Sequence, residues 1–339
     1  MRFSTSAFAP ACTSPNHCEA DPLRLYPDAS GGEAAVTRYR VFPGMELDYR
    51  DVHARACREL RDGSGERLEI HHCLEGRVEY RQNGRYFYLS PGDLAVARTS
   101  SLPPDSRFPT GHYHGITVTI DPAAAPECLS CILSDVEVRP ATLMEKLCPG
   151  RTVFTARSSR RVKHVFSELY AVPEDIRKGY LKVKLLELLL FLSTLSLEDG
   201  QTPHGCTAAQ VTLAEQVKAR LLAEPDRTLT LKSLSQQFNV SEAQIKSSFT
   251  GVYGMSPAAY ARSQRMHGAA ALLRETDRTV LDIACQFGYD NASKFARAFR
   301  DVIGVSPREY RAGAEYDSCA PQLGEKPVSL SDAGVERRI

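Results

Sequence analysis

The chain has 339 residues, enough for two or more domains that each bury a core. With 42 Lys and Arg against 41 Asp and Glu, its bulk charge neither demands nor excludes a polyanionic partner. The longest unbroken apolar run, Leu188 to Leu192, is far below the ~20 residues that cross a bilayer, and the stretch from Ala7 to Cys12 is short and interrupted by Pro10.

A soluble cytoplasmic protein without a membrane partner is expected. In that compartment its ten cysteines are mostly reduced and form no disulfide framework.

Residues 1–35 mix Pro, Ser, Asp and Gly without an apolar period and read as a loosely ordered lead-in. From 36 to 140 the pattern becomes strand-like. Leu68, Ile70, His72 and Leu74 alternate with Glu69, His71, Cys73 and Glu75, the period of a half-buried strand. Asn83-Gly84, between Arg77 to Arg81 and Arg85 to Leu89, predicts a two-residue hairpin turn, because both central positions of that turn need positive φ. Pro91-Gly92-Asp93 turns the chain into Leu94 to Val96, and Ile116 to Ile120 closes the series. These strands predict a small antiparallel β-barrel or sandwich.

His71, His72, Cys73, His112 and His114 invite a metal reading, since imidazoles gathered from neighbouring strands suit iron or manganese. Adjacent residues on a strand face opposite sides, however, so His71 and His72 do not serve one regular pocket. The expectation is therefore no metal and no cofactor; His71, His72, Cys73, Glu75, Arg77, His112 and His114 are candidates for lining a ligand pocket. Cys128-Leu-Ser-Cys131 has the spacing of a metal or redox pair, but it lacks a second such pair and a thioredoxin-like strand before it.

Residues 141–200 read as a helical dimerisation and linker region, with helices over 159–171 and 174–198. In the second, Leu181, Leu185, Leu188, Leu192 and Leu195 fall at alternating spacings of four and three, a coiled-coil stripe that predicts a homodimer helix. The other reading, that these leucines are monomer core, stays open at this point. Glu198 to Gly205 is the best linker, and 312–339 reads as a disordered tail.

Between Thr207 and Arg311 the chain is helical in period and carries 14 Lys and Arg against 10 Asp and Glu, the local sign of a nucleic-acid module. It also says one thing twice. Phe249, Val252, Gly254, Ser256-Pro257 and Tyr260 recur, fifty residues on, as Phe299, Val302, Gly304, Ser306-Pro307 and Tyr310.

In the first copy Leu231, Leu234 and Phe238 mark a short helix, Asn239-Val240 the turn, and Ser241 the cap of a second helix with Ile245, Phe249 and Val252 inward. In the second copy Ile283, Ala284 and Phe287 mark the first helix, Gly288 to Asp290 the turn, and Phe295, Phe299 and Val302 the inward face. Both are helix-turn-helix units, with the small Ser235 and Ala284 where the helices cross. Pro257 to Glu275 forms a connecting helix, in which Gly268 should cost ~1 kcal/mol relative to Ala. A rigid connector would let the two second helices enter successive major-groove segments, about 34 Å apart along a duplex.

The span from Thr230 to Arg311 resembles the DNA-binding domain of the AraC/XylS family of bacterial transcription regulators. The resemblance rests on Leu231-x-x-Leu234-Ser235, Arg265-Met266-x-x-Ala269-x-x-Leu272-Leu273, Val280-x-x-Ile283-Ala284, Gly288-Tyr289, Ser293-x-Phe295-x-x-Ala298-Phe299-Arg300 and Gly304-x-Ser306-Pro307-x-x-Tyr310-Arg311. Leu68 to Glu79, followed by Tyr88 to Asp93, resembles the cupin-like sensor half of one branch of that family.

The resemblance implies an α+β chain: an amino-terminal antiparallel β-barrel of cupin-like form with helices, then an all-α double helix-turn-helix domain over 207–311. It implies a non-enzymatic regulator, more often an activator, with double-stranded promoter DNA, RNA polymerase and an unidentified small-molecule effector as partners. Positions matching the family's base-facing residues are Ala243, Lys246, Ser247, Ala292, Ser293, Lys294 and Arg297. Lys246 and Arg297 are the candidates for guanine acceptors, while Ser241, Arg300 and Arg308 are placed to hold phosphates. The competing readings are an enzyme fused to a DNA-binding domain, either a metal-dependent cupin enzyme or a cysteine-based DNA-repair methyl acceptor, and a redox-switched regulator using Cys128 and Cys131; against the first stands the lack of a three-His-plus-carboxylate set at cupin-enzyme spacing, and against the second Cys285, which reads as a packed residue of the second helix-turn-helix unit.

Overall fold

In the computed structural model, the residues described are 20–24, 26–27, 31–58, 65–126, 138–150, 152–200, 205–223 and 229–313. Cys12, Cys18, Cys128, Cys131 and residues 314–339 lie outside them.

Among the described residues the amino-terminal half holds twelve strands. They are β1 Ala20–Arg24, β2 Tyr26–Pro27, β3 Gly32–Phe42, β4 Met45–Ala54, β5 Ala56–Arg58, β6 Leu68–Gly76, β7 Val78–Gln82, β8 Arg85–Leu89, β9 Leu94–Arg98, β10 Asp105–Arg107, β11 Tyr113–Ile120 and β12 Phe154–Ala156. The first two fall within the span read from sequence as a lead-in. All pairings are antiparallel.

Seven strands form a sheet in the order β1-β3-β4-β11-β6-β9-β12, three form β10-β5-β2, and β7 with β8 makes the expected hairpin. Asn83 at φ 51° and Gly84 at φ 71° supply its turn. Among the described residues the expected closed barrel is not found: the large sheet ends at β1 on one side and β12 on the other, and the hairpin of β7 and β8 joins neither sheet.

Helices α1 Pro140–Leu147, α2 Arg160–Ser167 and α3 Arg177–Thr194 cover one face of the large sheet. The hairpin and the small sheet cover the other, with Val52, Cys73, Tyr113, Val78 and Tyr80 in a second core. Covering both faces buries every residue from Leu68 to Cys73, where alternation alone predicts one solvated side. Glu69 and His71 stay within that layer by pairing, Nε2 to Oε2 at 3.1 Å, with Thr117 Oγ1 3.2 Å from His71 Nδ1.

The leucine stripe is corrected by this arrangement. Leu181, Leu185, Leu188 and Leu192 are at most 1% exposed in the core beneath α3, and Leu195 is half-buried against it. A four-three spacing marks one face of a helix, and here the sheet of the same chain takes that face. The outward side of α3 keeps Val183 exposed and Leu186 and Leu190 half-buried.

Among the described residues the carboxyl-terminal half is built of helices: α4 Ala208–Ala223, α5 Leu231–Phe238, α6 Glu242–Tyr253, α7 Pro257–Glu275, α8 Val280–Gln286, α9 Ala292–Ile303 and α10 Pro307–Ala312. Two separate cores form here. Leu234, Ile245, Phe249, Val252 and Tyr260 pack with Ala214 and Val217 of α4. Met266, Ala269, Ala270 and Leu273 of α7 pack with Ile283, Phe295 and Phe299. The start of α7 therefore belongs to one core and its end to the other. Among the described residues no helix is long and apolar enough to cross a membrane.

Candidate nucleic-acid interface

Each helix-turn-helix unit is set by local chemistry. Thr230 caps α5, accepting from the Ser233 amide, and the helix ends on Asn239 in the left-handed conformation, φ 51° and ψ 46°. Ser235 donates from Oγ to the Val240 carbonyl at 2.6 Å, which ties the turn back to its helix. Ser241 then caps α6, with the Gln244 amide 3.2 Å from its Oγ.

In the second unit Thr279 caps α8, and Asn291 caps α9 by accepting from the amides of Ser293 at 2.7 Å and Lys294 at 3.3 Å. The small residues at 235 and 284 have different duties: Ser235 closes a turn, while Ala284 is wholly buried and offers its carbonyl to the Tyr289 amide at 2.9 Å.

The duplication is visible in the packing. Phe249 meets the Tyr260 ring edge-on at 5.5 Å and 70°, and Phe299 meets Tyr310 at 5.6 Å and 73°. Gly254 and Gly304, both at positive φ, end α6 and α9, and Ser256 and Ser306 start the next helices with proline at the first turn. Gly268 is also explained. A Cβ there would lie 3.1 Å from the Phe287 ring, so the missing side chain admits that ring to the second core. Cys285, by contrast, is exposed rather than packed.

Ala243, Lys246 and Ser247 on α6, and Ala292, Ser293, Lys294 and Arg297 on α9, all lie on the outward faces of these helices and are exposed. So are Ser241, Arg300 and Arg308. Lys294 has only a loose surface pairing with Asp290, at 3.9 Å. Each second helix thus presents a short, polar, partly cationic face, built on a buried aromatic anchor.

The candidate pocket residues are dispersed. His71 lines a small cleft together with Arg50, Glu79, Tyr80, Phe108 and Tyr113. His72 faces the opposite side of the sheet, stacked on Phe166 at 4.2 Å with Nδ1 2.8 Å from the Tyr170 hydroxyl; burial pushes its pKa down to about 4, leaving a neutral core residue. Cys73 is buried and its thiol pKa is raised, chiefly by desolvation. Glu75, His112 and His114 gather at the end of β6 and β11.

Arg77 points to the other half of the molecule and donates to the Gly251 carbonyl of α6 at 3.2 Å. The hairpin follows it: Tyr86 and Cys206 exchange both backbone hydrogen bonds, at 2.9 and 2.8 Å, and Tyr88 packs into the core of the first unit. From α4, Lys218 donates to the Pro109 carbonyl at 3.0 Å and lies over Tyr253. This contact between halves was not foreseen from sequence. Its one local signal was the aromatic run of Tyr86, Phe87 and Tyr88 on a hairpin.

The family model described as a helix-turn-helix domain matches residues 234–313. The chain is 33% identical, over 277 residues, to the HTH-type transcriptional regulator YdiP of Escherichia coli (strain K12), covering 78% of this chain and 88% of that one. The chain belongs to the AraC/XylS family of transcription regulators. This AraC/XylS regulator is also 24% identical over 252 residues to the arabinose operon regulatory protein of Salmonella typhimurium, 71% of this chain and 82% of that one. It is 30% identical over 130 residues to an AraC-like transcription regulator of Streptomyces lividans, of which it covers 43%. As an AraC/XylS protein it is a DNA-binding transcription regulator, and the relatives it matches over most of their length are regulators.

Proposed function

We propose that this protein is a cytoplasmic, ligand-responsive activator that reads promoter DNA with α6 and α9 in successive major-groove segments. The observation that carries the reading is the paired geometry: two units with matching edge-on aromatic contacts, joined through one helix, each leaving its second helix exposed on a polar face. Lys246 and Arg297 take base edges; Ser241, Arg300 and Arg308 take phosphates.

The amino-terminal half acts as the sensor, of cupin-like ancestry. Arg50, His71 and Glu79 offer polar groups to an effector at the cleft between the large sheet and the hairpin, which as it stands has room for little more than a water and must widen on binding. Support for coupling comes from the hairpin, since Glu79 in the cleft accepts from the hydroxyl of Tyr88, and Tyr88 belongs to the core of the first helix-turn-helix unit. An effector that favours one hairpin position over another thereby biases the placement of α6. Activation would proceed with RNA polymerase, and a homodimer would use the outward side of α3 around Val183.

The test is a chemical footprint on a duplex selected in vitro from random sequence by the full chain. Lys246→Ala removes protection in one major-groove segment and Arg297→Ala removes it about one helical turn away. Loss of a single shared segment with both variants contradicts the two-segment reading.

A further inference from the structure

On the helix-covered face of the large sheet, at its end beyond Tyr49 and Ile116, the antiparallel register sets Asp51 of β4 opposite His114 of β11, and His114 opposite Glu75 of β6. His53, two residues beyond Asp51, shares its face. Asp51 Oδ1 lies 3.0 Å from His53 Nε2 and 3.3 Å from His114 Nδ1. The two rings are 5.2 Å apart, and the three donor atoms lie within 4.8 Å of one another.

In a tetrahedral site with bonds of ~2.0–2.1 Å, ligand atoms stand roughly 3.3–3.4 Å apart. The separation from Asp51 to His114 matches that edge, and the one to His53 is a few tenths of an ångström shorter. The side chains are 14%, 29% and 15% exposed for Asp51, His53 and His114, so the group is sheltered but open to an ion from solvent. Two imidazoles with one carboxylate form the donor set of a borderline cation, and too few oxygens converge for calcium or magnesium.

We propose that Asp51, His53 and His114 bind a divalent transition cation of the zinc type, with water in the remaining position. His112 stands near enough to His114 and His53, and to Glu75, to interact with them electrostatically. The site is separate from the cleft of His71 and Tyr113, which opens on the other face of the sheet. It stands whichever effector the cleft takes.

The experiment uses the full chain, stripped with a chelator and titrated with Co²⁺ while its absorption is recorded. One equivalent binds, with visible bands of a low-coordinate nitrogen and oxygen site and no sulfur-to-cobalt charge transfer. His53→Gln and His114→Gln each weaken binding roughly tenfold or more, whereas His71→Gln leaves it unchanged. Zn²⁺ alone raises the unfolding temperature of the wild type, a readout of binding to the native state, and this rise is lost in Asp51→Asn. Absence of the bands in excess Co²⁺ overturns the proposal and leaves a simple His–Asp–His ion pair. Bands with sulfur charge transfer that survive in both glutamine variants overturn it equally, placing the metal at cysteines.

Discussion

The Arg77 guanidinium, immediately before β7, donates to the carbonyl of Gly251 in the last turn of α6, so an arginine of the amino-terminal half closes the carboxyl end of the second helix of the first helix-turn-helix unit. Carbonyls at that end lack helical partners and carry the negative end of the helix dipole, which makes a cation there favourable. The fit is tight: a Cβ on Gly254 would collide with the same guanidinium. Arg77→Ala is therefore expected to lower the stability of the carboxyl-terminal half by about 1.5–3 kcal/mol, the range for a hydrogen bond from a charged group. Chemical denaturation with a probe in that half checks it, and Arg77→Lys should recover part of the loss.

Leu188→Ala should destabilise the protein by ~2–5 kcal/mol and leave its association state unchanged, because Leu188 is wholly buried between α3 and the sheet. Denaturation and sedimentation on the same samples separate the outcomes. Unaltered stability with a change from dimer to monomer would restore the coiled-coil reading of that stripe.

Lys218 gives a pH dependence to the contact between halves. Burial pushes its ammonium down from 10.5 to about 8, assisted by Arg55 and opposed by Glu215. Below about pH 8 both the folded and unfolded chains hold the proton and the cost of the buried charge is fully present. From about pH 8 to 10 the unfolded chain binds more protons than the folded one, so this contribution to stability rises with pH. The stability difference between wild type and Lys218→Met should therefore move in favour of wild type across that interval. A difference that stays flat would show that Lys218 keeps its ordinary affinity for the proton.

Asn291→Ala removes the side chain that accepts from two amides at the start of α9. A loss of about 0.5–2 kcal/mol is expected in thermal or chemical unfolding, whereas Asn291→Ser should retain most of the cap.

The helix-turn-helix half was legible because its determinants are local. Ser241, Thr230, Gly254 and Ser256-Pro257 act within four residues of themselves, and the second copy repeats the message. The Asn83-Gly84 turn was readable for the same reason. What sequence left hidden depends on partners far along the chain. Leu181 to Leu192 carry a valid helical stripe, but spacing does not say that a sheet built from strands far earlier in the chain covers it.

Closure of a barrel is likewise a matter of which edges meet, and β7 and β8 separate from the large sheet. Gly268 looked like a small defect until Phe287 appeared beside it. Of the histidines and cysteine that invite a metal reading in the sequence, His71, His72, Cys73, His112 and His114, His114 alone joins the Asp51 and His53 group, because the register of β4 with β11 brings it beside residues some sixty positions earlier in the chain.

The central claim, that an exposed side chain of α9 reads bases, is tested most directly by Arg297→Ala on two duplexes, the in vitro selected site and a random sequence, at one salt concentration. The account predicts that affinity for the selected site falls by about 1–3 kcal/mol while affinity for random duplex changes far less. An equal loss on both would contradict it, since Arg297 would then only grip the phosphate backbone.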